Sequence, residues 1–251
     1  MKIILITGVS QRQGIGFAVA KHLGLEGHNI IISARNLEQA ENLAQELKQD
    51  GVNVTSVKID LLDLDSIRKA TKFIEEKFQK IDILINNAAL MLNSSAKFID
   101  KDMDELNIEF QTNVTGTWYV TQQFYPLLVA SGEGRIVNIS SGAGSFADPD
   151  FGIVNFPGAG LSQITFDYPL PAYGLTKLAL NGLTIKMAKE FKNDNVLVNA
   201  VCPGMTATRP GAADFGARPV EECVDGIVWA ATLPKDGPSG QFFRDRKVLP
   251  W

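Results

Sequence analysis

Short apolar runs alternate with helix-like patterns along most of the chain. The helix-like segments repeat apolar residues at intervals of three and four, so that Ile15, Val19 and Leu23 of the first segment share one face. The same spacing recurs at residues 40–47 and 67–78. The apolar runs are short and rich in β-branched residues, which is typical of strands. They lie at residues 2–6, 29–33, 53–59, 81–85, 135–139 and 196–201, with a weaker one at 241–243.

These strand candidates are apolar along nearly their whole length, which indicates a sheet buried on both faces and therefore parallel. Alternation of strands and helices then predicts an α/β fold, a doubly wound parallel sheet of about seven strands with helices on both faces. No change in composition divides the 251 residues, so we expect one domain over residues 1–251.

Residues 142–171 interrupt this alternation. The stretch is rich in Gly, Pro, Phe and Asp and shows no clear period. Long loops without regular structure are commonly functional or mobile. We therefore predict an inserted loop at about residues 142–172, near the substrate cleft.

Composition and charge exclude several classes of protein. Apolar residues make up 45% of the chain and charged residues 21%, which excludes global disorder. The net charge of −4 argues against binding to nucleic acid or to an anionic membrane. The basic residues Arg244, Arg246 and Lys247 are interrupted by Asp245, and we interpret them as ordinary surface.

The few cysteines and histidines give no sign of a metal site or a disulfide framework. Cys202 and Cys223 form no CxxC motif, and His22 and His28 lie far in sequence from any candidate site. The apolar run at the N-terminus is too short for a signal peptide. We expect a cytoplasmic protein without a metal, a nucleic-acid partner or a membrane contact.

A glycine-rich turn follows the first predicted strand directly. Thr7-Gly8 ends the strand, and Gly14-Ile15-Gly16 opens the first helical pattern. Glycines suit a turn in which the backbone approaches a pyrophosphate at a helix N-terminus. A plain tight turn is the alternative, but strand, glycine turn and helix in this order favour a dinucleotide site of the Rossmann type. No Gly-Lys-Ser/Thr follows, so this is not a P-loop.

The end of the second predicted strand points to the phosphorylated cofactor. A site for NAD places Asp or Glu there to hold the ribose 2′-hydroxyl. This chain has Arg35, whose guanidinium can pair with a 2′-phosphate, so we predict NADP(H). Arg12, inside the glycine turn, is either a second cation for that phosphate or a solvated loop charge.

Tyr173 and Lys177 stand four positions apart, on one face of a helix if the segment is helical. A phenol titrates near pH 10, so its use as an acid or base at neutral pH calls for positive charge beside it. Lys177 can supply that charge. The pair alone is weak evidence, but it gains weight beside the glycine turn.

Together these motifs resemble the short-chain dehydrogenase/reductase family over nearly the whole chain. Besides the glycine turn and the Tyr/Lys pair, the matching pieces are Asp60, Asn86-Asn87-Ala88-Ala89, Asn113, Ser140-Ser141 and Pro203-Gly204, in the order of the family. The resemblance implies that Tyr173 is the general acid and that Ser141, rather than Ser140, polarises the carbonyl. It also implies that Asn113 anchors a water of a proton relay and that Lys177 holds the nicotinamide ribose and lowers the phenol pKa.

The resemblance further implies a set of cofactor-binding residues. Asp60 would receive the adenine amino group, the turn at residues 86–89 would line the adenosine ribose, and Thr208 would touch the carboxamide. For Asn87 we favour a structural amide that bonds to the neighbouring strand. The full set is Gly8, Ser10, Arg12, Gly14, Ile15, Gly16, Arg35, Asp60, Leu61, Asn87, Ala88, Ala89, Tyr173, Lys177, Pro203, Gly204, Thr206 and Thr208.

Three departures from the common family pattern stand out. The glycine turn is longer, Ala89 replaces a usual glycine, and 32 positions separate Ser141 from Tyr173. Insertions of this kind, and an ending like residues 238–246, occur among carbonyl reductases. The branch most resembled is therefore that of NADPH-dependent carbonyl reductases, which reduce a ketone or aldehyde to an alcohol.

Two other functions fit the same motifs. The same site can oxidise an alcohol, and a catalytically silent dinucleotide-binding protein would keep the fold. A serine hydrolase is disfavoured because the chain lacks a Gly-x-Ser-x-Gly elbow. Family members commonly associate through the helices that begin near Asn113 and Tyr173. We expect the Phe- and Pro-rich insertion to cover this helix pair and to favour a monomer, with a dimer or tetramer as the alternatives.

Overall fold

The structure is a computed structural model that describes residues 1–153 and 170–251. Its strands form one sheet in the order β3-β2-β1-β4-β5-β6-β7-β8. All neighbours are parallel except β7 and β8, which are antiparallel. The strands are β1 (Ile3–Ile6), β2 (Asn29–Ala34), β3 (Val54–Lys58), β4 (Ile83–Asn86), β5 (Arg135–Ile139), β6 (Leu197–Val201), β7 (Phe242–Arg244) and β8 (Lys247–Val248).

This sheet confirms the predicted doubly wound α/β fold and adds a strand that the sequence did not predict. β8 has only two residues, and both are exposed. The sequence therefore contains no apolar run from which this strand could be predicted. It is joined to β7 by Asp245 and Arg246, which both have positive φ. The pair β7–β8 with this turn, residues 242–248, is called the C-terminal hairpin below.

Helices cover both faces of the sheet. Alternate residues of each strand point to opposite faces, so Ile4 and Ile6 pack in a different core cluster from Leu5. In the described part of the chain the helices are α1 (Ile15–Leu25), α2 (Leu37–Gln49), α3 (Leu64–Phe78), α4 (Met103–Phe110), α5 (Thr117–Ala130), α6 (Pro171–Glu190) and α7 (Val220–Ala231). α1, α2 and α7 contribute to the first cluster, and α3, α5 and α6 to the second.

A π-helical turn, Gln111–Gly116, joins α4 to α5. Such turns are rare and occur frequently at functional sites. Gly116 ends it where a side chain has no room, because a Cβ there would lie 2.6 Å from the Leu61 carbonyl oxygen. The turn places Asn113 in the interior of the protein.

A buried ladder of polar side chains crosses the middle of the sheet. Asn86 Nδ2 donates to Asn138 Oδ1 at 2.9 Å, and Asn138 Nδ2 donates to Thr184 Oγ1 at 2.9 Å. Asn86 also donates to Thr121 Oγ1. The ladder connects β4, β5, α5 and α6 and satisfies amides that would be costly to bury unpaired.

The predicted insertion is described only at its two ends. Residues 142–144 form a 3₁₀ turn, and α6 begins already at Pro171, so the predicted loop end at 172 is too late. The predicted insertion falls largely on residues 154–169, outside the described residues. Within the described ranges, no helix is long and apolar enough to cross a membrane.

Candidate active site

The sheet brings the predicted residues to one edge. In open α/β sheets ligands bind beyond the carboxyl ends of the strands, where the strand order reverses. Here the reversal lies between β1 and β4. Thr7, Arg35, Asp60, Asn87, Ser141 and Pro203 all follow the carboxyl ends of strands in this sheet.

The glycine turn has the backbone geometry of an anion site. Gly8 has a φ of +70°, and a Cβ on it would lie 2.5 Å from Ala88 Cα. α1 begins at Ile15 without a side-chain cap and without an acidic residue in its first turn. Asp63 and Asp102, by contrast, cap α3 and α4. The open N-terminus of α1 therefore fits a pyrophosphate, with half-buried Ser10 in the same turn.

Asn87 holds two strands together, as the sequence analysis favoured. Its Nδ2 donates to the carbonyl oxygens of Thr7 at 2.7 Å and Gly8 at 3.2 Å. The backbone N–H groups of Asn87 and Ala88 both donate to Thr7 Oγ1. The structural interpretation of Asn87 is confirmed, and Ala88 is fixed beside Gly8, with Ala89 exposed after it.

The two arginines proposed for the 2′-phosphate lie in different surroundings. Arg35 directly follows β2 and is exposed, and it pairs with no carboxylate in the described part of the chain. Arg12 is 72% exposed and lies 3.5 Å from Glu46 of α2. Arg35 is therefore the freer cation, whereas Arg12 already has an acidic neighbour.

Asp60 lies half-buried after β3, where its own turn orients it. Its Oδ1 accepts from the Leu62 N–H at 3.0 Å, and its N–H donates to Ser66 Oγ at 2.9 Å. Leu61 is buried and lies against Gly116 of the π-helical turn. The segment predicted to hold adenine is thus packed directly on the helix that carries Asn113.

Tyr173 and Lys177 share one face of α6, as predicted. Lys177 Nζ lies 5.5 Å from the centre of the Tyr173 ring and donates to the Ile139 carbonyl oxygen at 2.7 Å. Lys177 is 2% exposed, and burial lowers its pKa to about 8. Because Lys177 lies at the ring, the Tyr173 hydroxyl is left to Ser141. The Tyr173 and Ser141 hydroxyls form a hydrogen bond.

The expected lowering of the phenol pKa is not found in the chain by itself. Burial raises the pKa of Tyr173, and the hydrogen bond with Ser141 opposes this only in part. The phenol therefore holds its proton firmly, which is the form that a general acid requires.

The two neighbouring serines occupy different environments. Ser140 is 1% exposed, and its hydroxyl donates to Asn181 Oδ1 at 2.6 Å. Ser141 is half-buried and bonded to Tyr173, and its Oγ accepts from the Ala143 N–H. The structure thus places Ser141 beside the phenol of Tyr173, whereas Ser140 is bonded to the buried side chain of Asn181 on α6.

The side chain of Asn113 is engaged by protein groups. Its Oδ1 accepts from the Leu90 N–H at 2.7 Å, and its Nδ2 donates to the Leu90 carbonyl oxygen and to Thr176 Oγ1. Both amide hydrogens are used. Asn113 therefore ties the segment after β4 to α6, and its predicted anchoring of a water stays a prediction.

A buried charge cluster next to Asn113 was missed by sequence reasoning. Glu109 is fully buried, and its Oε1 accepts from Lys101 Nζ at 2.8 Å and from the Leu92 N–H at 3.1 Å. Lys101 also donates to the Leu92 carbonyl oxygen. A single Glu in a helical pattern looks like a solvated residue, so the sequence carried no signal.

The loop after β6 is held by a residue that was not predicted. Arg218 donates from Nε and Nη2 to the Pro203 carbonyl oxygen at 3.0 and 2.6 Å. Gly204 has a φ of +70° and lies against this guanidinium. Thr206 and Thr208 are half-buried in the same loop, which Thr206 closes by a bond to Pro203.

The interpretation of Arg244 as ordinary surface is wrong. Its side chain is only 12% exposed and pairs with Asp148 and Asp150 of the predicted insertion. Arg246 conforms to the prediction, since it forms an exposed pair with Asp225. The sequence could not separate the two because their partners lie far away along the chain.

Comparison with known proteins identifies the family of this chain. A family model described as short chain dehydrogenase matches residues 2–153 and 166–215. The unmatched residues 154–165 lie within the predicted insertion. Short-chain dehydrogenase anuI of Penicillium roqueforti is 36% identical over 234 residues, covering 92% of this chain and 88% of that protein. Oxidoreductase UcpA of Escherichia coli is 36% identical over 207 residues, covering 82% and 70%.

Solved structures of other proteins share the fold. A metagenomic short-chain oxidoreductase in complex with NADP has a TM-score of 0.75 at 25% identity, over 97% of this chain and 96% of that one. A gluconate 5-dehydrogenase from Burkholderia cenocepacia, in complex with NADP and tartrate, has a TM-score of 0.80 at 24% identity, over 97% and 92%. The chain belongs to the short-chain dehydrogenase family and is an NAD(P)-dependent oxidoreductase.

Proposed function

We propose that this protein reduces a ketone or aldehyde to an alcohol with NADPH, and that Tyr173 donates the proton. The observation that carries the proposal is the position of the Tyr173 phenol, which is bonded to Ser141 and lies beside buried Lys177. When bound, NADPH supplies the hydride for the carbonyl carbon. The carbonyl oxygen then needs one proton, which the Tyr173 hydroxyl gives.

Ser141 and Lys177 support this transfer in different ways. The half-buried Ser141 hydroxyl donates a hydrogen bond to the carbonyl oxygen and so stabilises the charge that develops there. Lys177, when charged, stabilises the phenolate that Tyr173 becomes after it has given up its proton. Bulk solvent must then return a proton to Tyr173 before the next turnover.

Two observations support NADPH over NADH. Arg35 is an exposed cation at the end of β2, where a carboxylate would repel a 2′-phosphate. The metagenomic relative is described in complex with NADP. Residues of the glycine turn and the open N-terminus of α1 would hold the pyrophosphate, and Asp60 would meet the adenine.

Reduction starts from the protonated form of Tyr173, and burial raises the pKa of this phenol. Oxidation starts from a phenolate that accepts the alcohol proton, and burial disfavours the phenolate. The same site runs in both directions, so the supply of oxidised and reduced cofactor also decides the outcome.

We further propose a cytoplasmic location, because Cys202 and Cys223 are both free and buried.

The test is a screen of ketones and aldehydes with NADPH and with NADH, followed by loss of cofactor absorbance. We expect turnover of at least one activated ketone, with NADPH preferred. A protein that binds NADPH but turns over no carbonyl or alcohol would be a silent dinucleotide-binding protein, and the proposal would be wrong.

A further inference from the structure

The C-terminal hairpin contacts both loops that border the catalytic edge of the sheet. One loop follows β5 and contains Ser141; its described continuation, residues 142–153, is called the root segment. The other loop follows β6 and contains Pro203 and Gly204. Arg244 of the hairpin contacts the first loop, and the adjacent residue Asp245 supports the second.

Arg244 forms a nearly buried ion-pair cluster with the root segment. Its Nη2 bonds to Asp148, which is fully buried, and its Nη1 bonds to the half-exposed Asp150. The guanidinium also lies 5.0 Å from the centre of the Phe151 ring. A planar guanidinium has a fork of donors and a flat face, so it can bond to two carboxylates and stack on an aromatic ring at once.

This cluster supports the residue after Ser141. A Cβ on Gly142 would lie 2.5 Å from Asp148 Oδ2 and 2.8 Å from Arg244 Nη2, so the Gly142 backbone rests against the ion pair. The Gly142 N–H donates to Cys202 Sγ at 3.2 Å, at the end of β6. A displacement of Arg244 or Asp148 therefore displaces Gly142, which one peptide bond joins to Ser141.

The other side of the hairpin reaches the second loop through Arg218. Asp245 accepts from Arg218 Nη2 at 2.8 Å, and the same guanidinium holds the Pro203 carbonyl oxygen. Two adjacent residues of the C-terminal hairpin, Arg244 and Asp245, thus fix the loops that follow two neighbouring strands.

We propose that the C-terminal hairpin sets the position of the catalytic serine, with Arg244 as a positioning residue for Ser141. The inference rests on the proposed function of Ser141. Catalytic groups lose much of their effect when they are displaced by a fraction of an ångström. Arg244 touches neither Tyr173 nor Lys177 in any hydrogen bond or ion pair of the described residues, so it acts through the root segment.

The first test measures the position of the root segment without any turnover. Hydrogen exchange of the peptide covering residues 142–153 is compared in wild type, Arg244→Met and Arg246→Met. Arg246→Met is the matched control, since it lies on the same hairpin but pairs outward with Asp225. We expect exchange to rise about tenfold in Arg244→Met and to stay unchanged in Arg246→Met. Equal exchange in all three proteins would overturn the proposal.

The second test measures catalysis. With a carbonyl substrate found in the screen, Arg244→Met should lower kcat about tenfold or more while the Kd for NADPH stays within about twofold. Arg244→Lys should restore kcat in part. An unchanged kcat, or a loss of NADPH binding equal to the loss of kcat, would contradict a positioning role.

A third variant guards against poor folding of Arg244→Met. Gly142→Ala forces a methyl group between Asp148 and Arg244 and leaves every charge in place. It should raise exchange of the root segment and lower kcat in the same way. If wild type reduces no carbonyl, the proposed function fails, whereas the exchange comparison still decides whether the hairpin holds the root segment.

Discussion

The ammonium of Lys177 lies 5.5 Å from the centre of the Tyr173 ring, at the end of a side chain that the protein buries almost completely. In the described part of the chain one hydrogen bond, to the Ile139 carbonyl oxygen, fixes the position of the ammonium. Burial lowers the pKa of Lys177 to about 8 and raises that of Tyr173. The charge beside the phenol therefore depends on pH in a range that is easily measured.

We expect kcat/KM for NADPH to fall as the pH rises through about 8. Below this pKa the amine is charged and supports catalysis, and above it the amine is neutral. Because kcat/KM reports ionisations of the free enzyme, steady-state rates over a pH series give the measurement. The variant Lys177→Met should have low activity without this limb. A wild-type profile that is flat through pH 8 would contradict the prediction.

Tyr173→Phe should lower kcat by about 10² to 10⁴, because it removes the positioned acid and keeps the ring. Binding of NADPH, measured by fluorescence titration, should be nearly unchanged. Tyr119→Phe is a suitable control, since the Tyr119 hydroxyl bonds only to Arg68 in the described part of the chain. Near-normal turnover in Tyr173→Phe would remove Tyr173 from the chemistry.

The two serines should separate activity from stability. Ser141→Ala is expected to lower kcat about a hundredfold, as loss of a donor to a developing oxyanion does. Ser140→Ala should keep turnover but reduce the free energy of unfolding by about 1–3 kcal/mol, because Asn181 loses its buried partner. Denaturant unfolding and steady-state kinetics on both variants test this, and the reverse pattern would assign the catalytic role to Ser140.

Arg35→Asp should reverse the cofactor preference. A charge-assisted pair with the 2′-phosphate contributes about 1.5–3 kcal/mol, or roughly ten- to a hundredfold in affinity. Ratios of kcat/KM for NADPH and NADH give the measurement. Arg12→Ala should change the ratio less, since Arg12 already pairs with Glu46. Equal kcat/KM for both cofactors in wild type would exclude selection by Arg35.

We expect a monomer of 27.3 kDa in light scattering at micromolar concentration. The prediction rests on the inserted segment covering α5 and α6. The competing outcome is association through these helices, because Trp118 of α5 is 54% exposed and Ile185 of α6 is 42% exposed. A concentration-independent tetramer would mean that these helices associate. In that case Trp118→Asp should dissociate the assembly.

Much of the fold and the site could be predicted because the signals were local. Apolar strand runs, the glycine turn and the spacing of Tyr173 and Lys177 each occupy a few consecutive residues. The structure places these segments along one edge of the sheet, as the doubly wound fold requires.

The remaining features depend on contacts between distant parts of the chain. Arg244 bonds to Asp148, which lies 96 positions earlier, and Arg218 bonds to Asp245, 27 positions later. The π-helical turn around Asn113 is equally hidden, since its sequence fits an ordinary helix. The roles of these residues depend on the partners with which they pair, and residue type alone does not identify those partners.

The buried ladder of Asn86, Asn138 and Thr184 has a consequence for folding. Its two bonds span 52 and 46 positions along the chain. Closing loops of this length before any contact rewards them slows folding. Ser141 and Tyr173 can therefore reach their places only after β5 and α6 have docked against β4. A refolding experiment should recover helical secondary structure before catalytic activity.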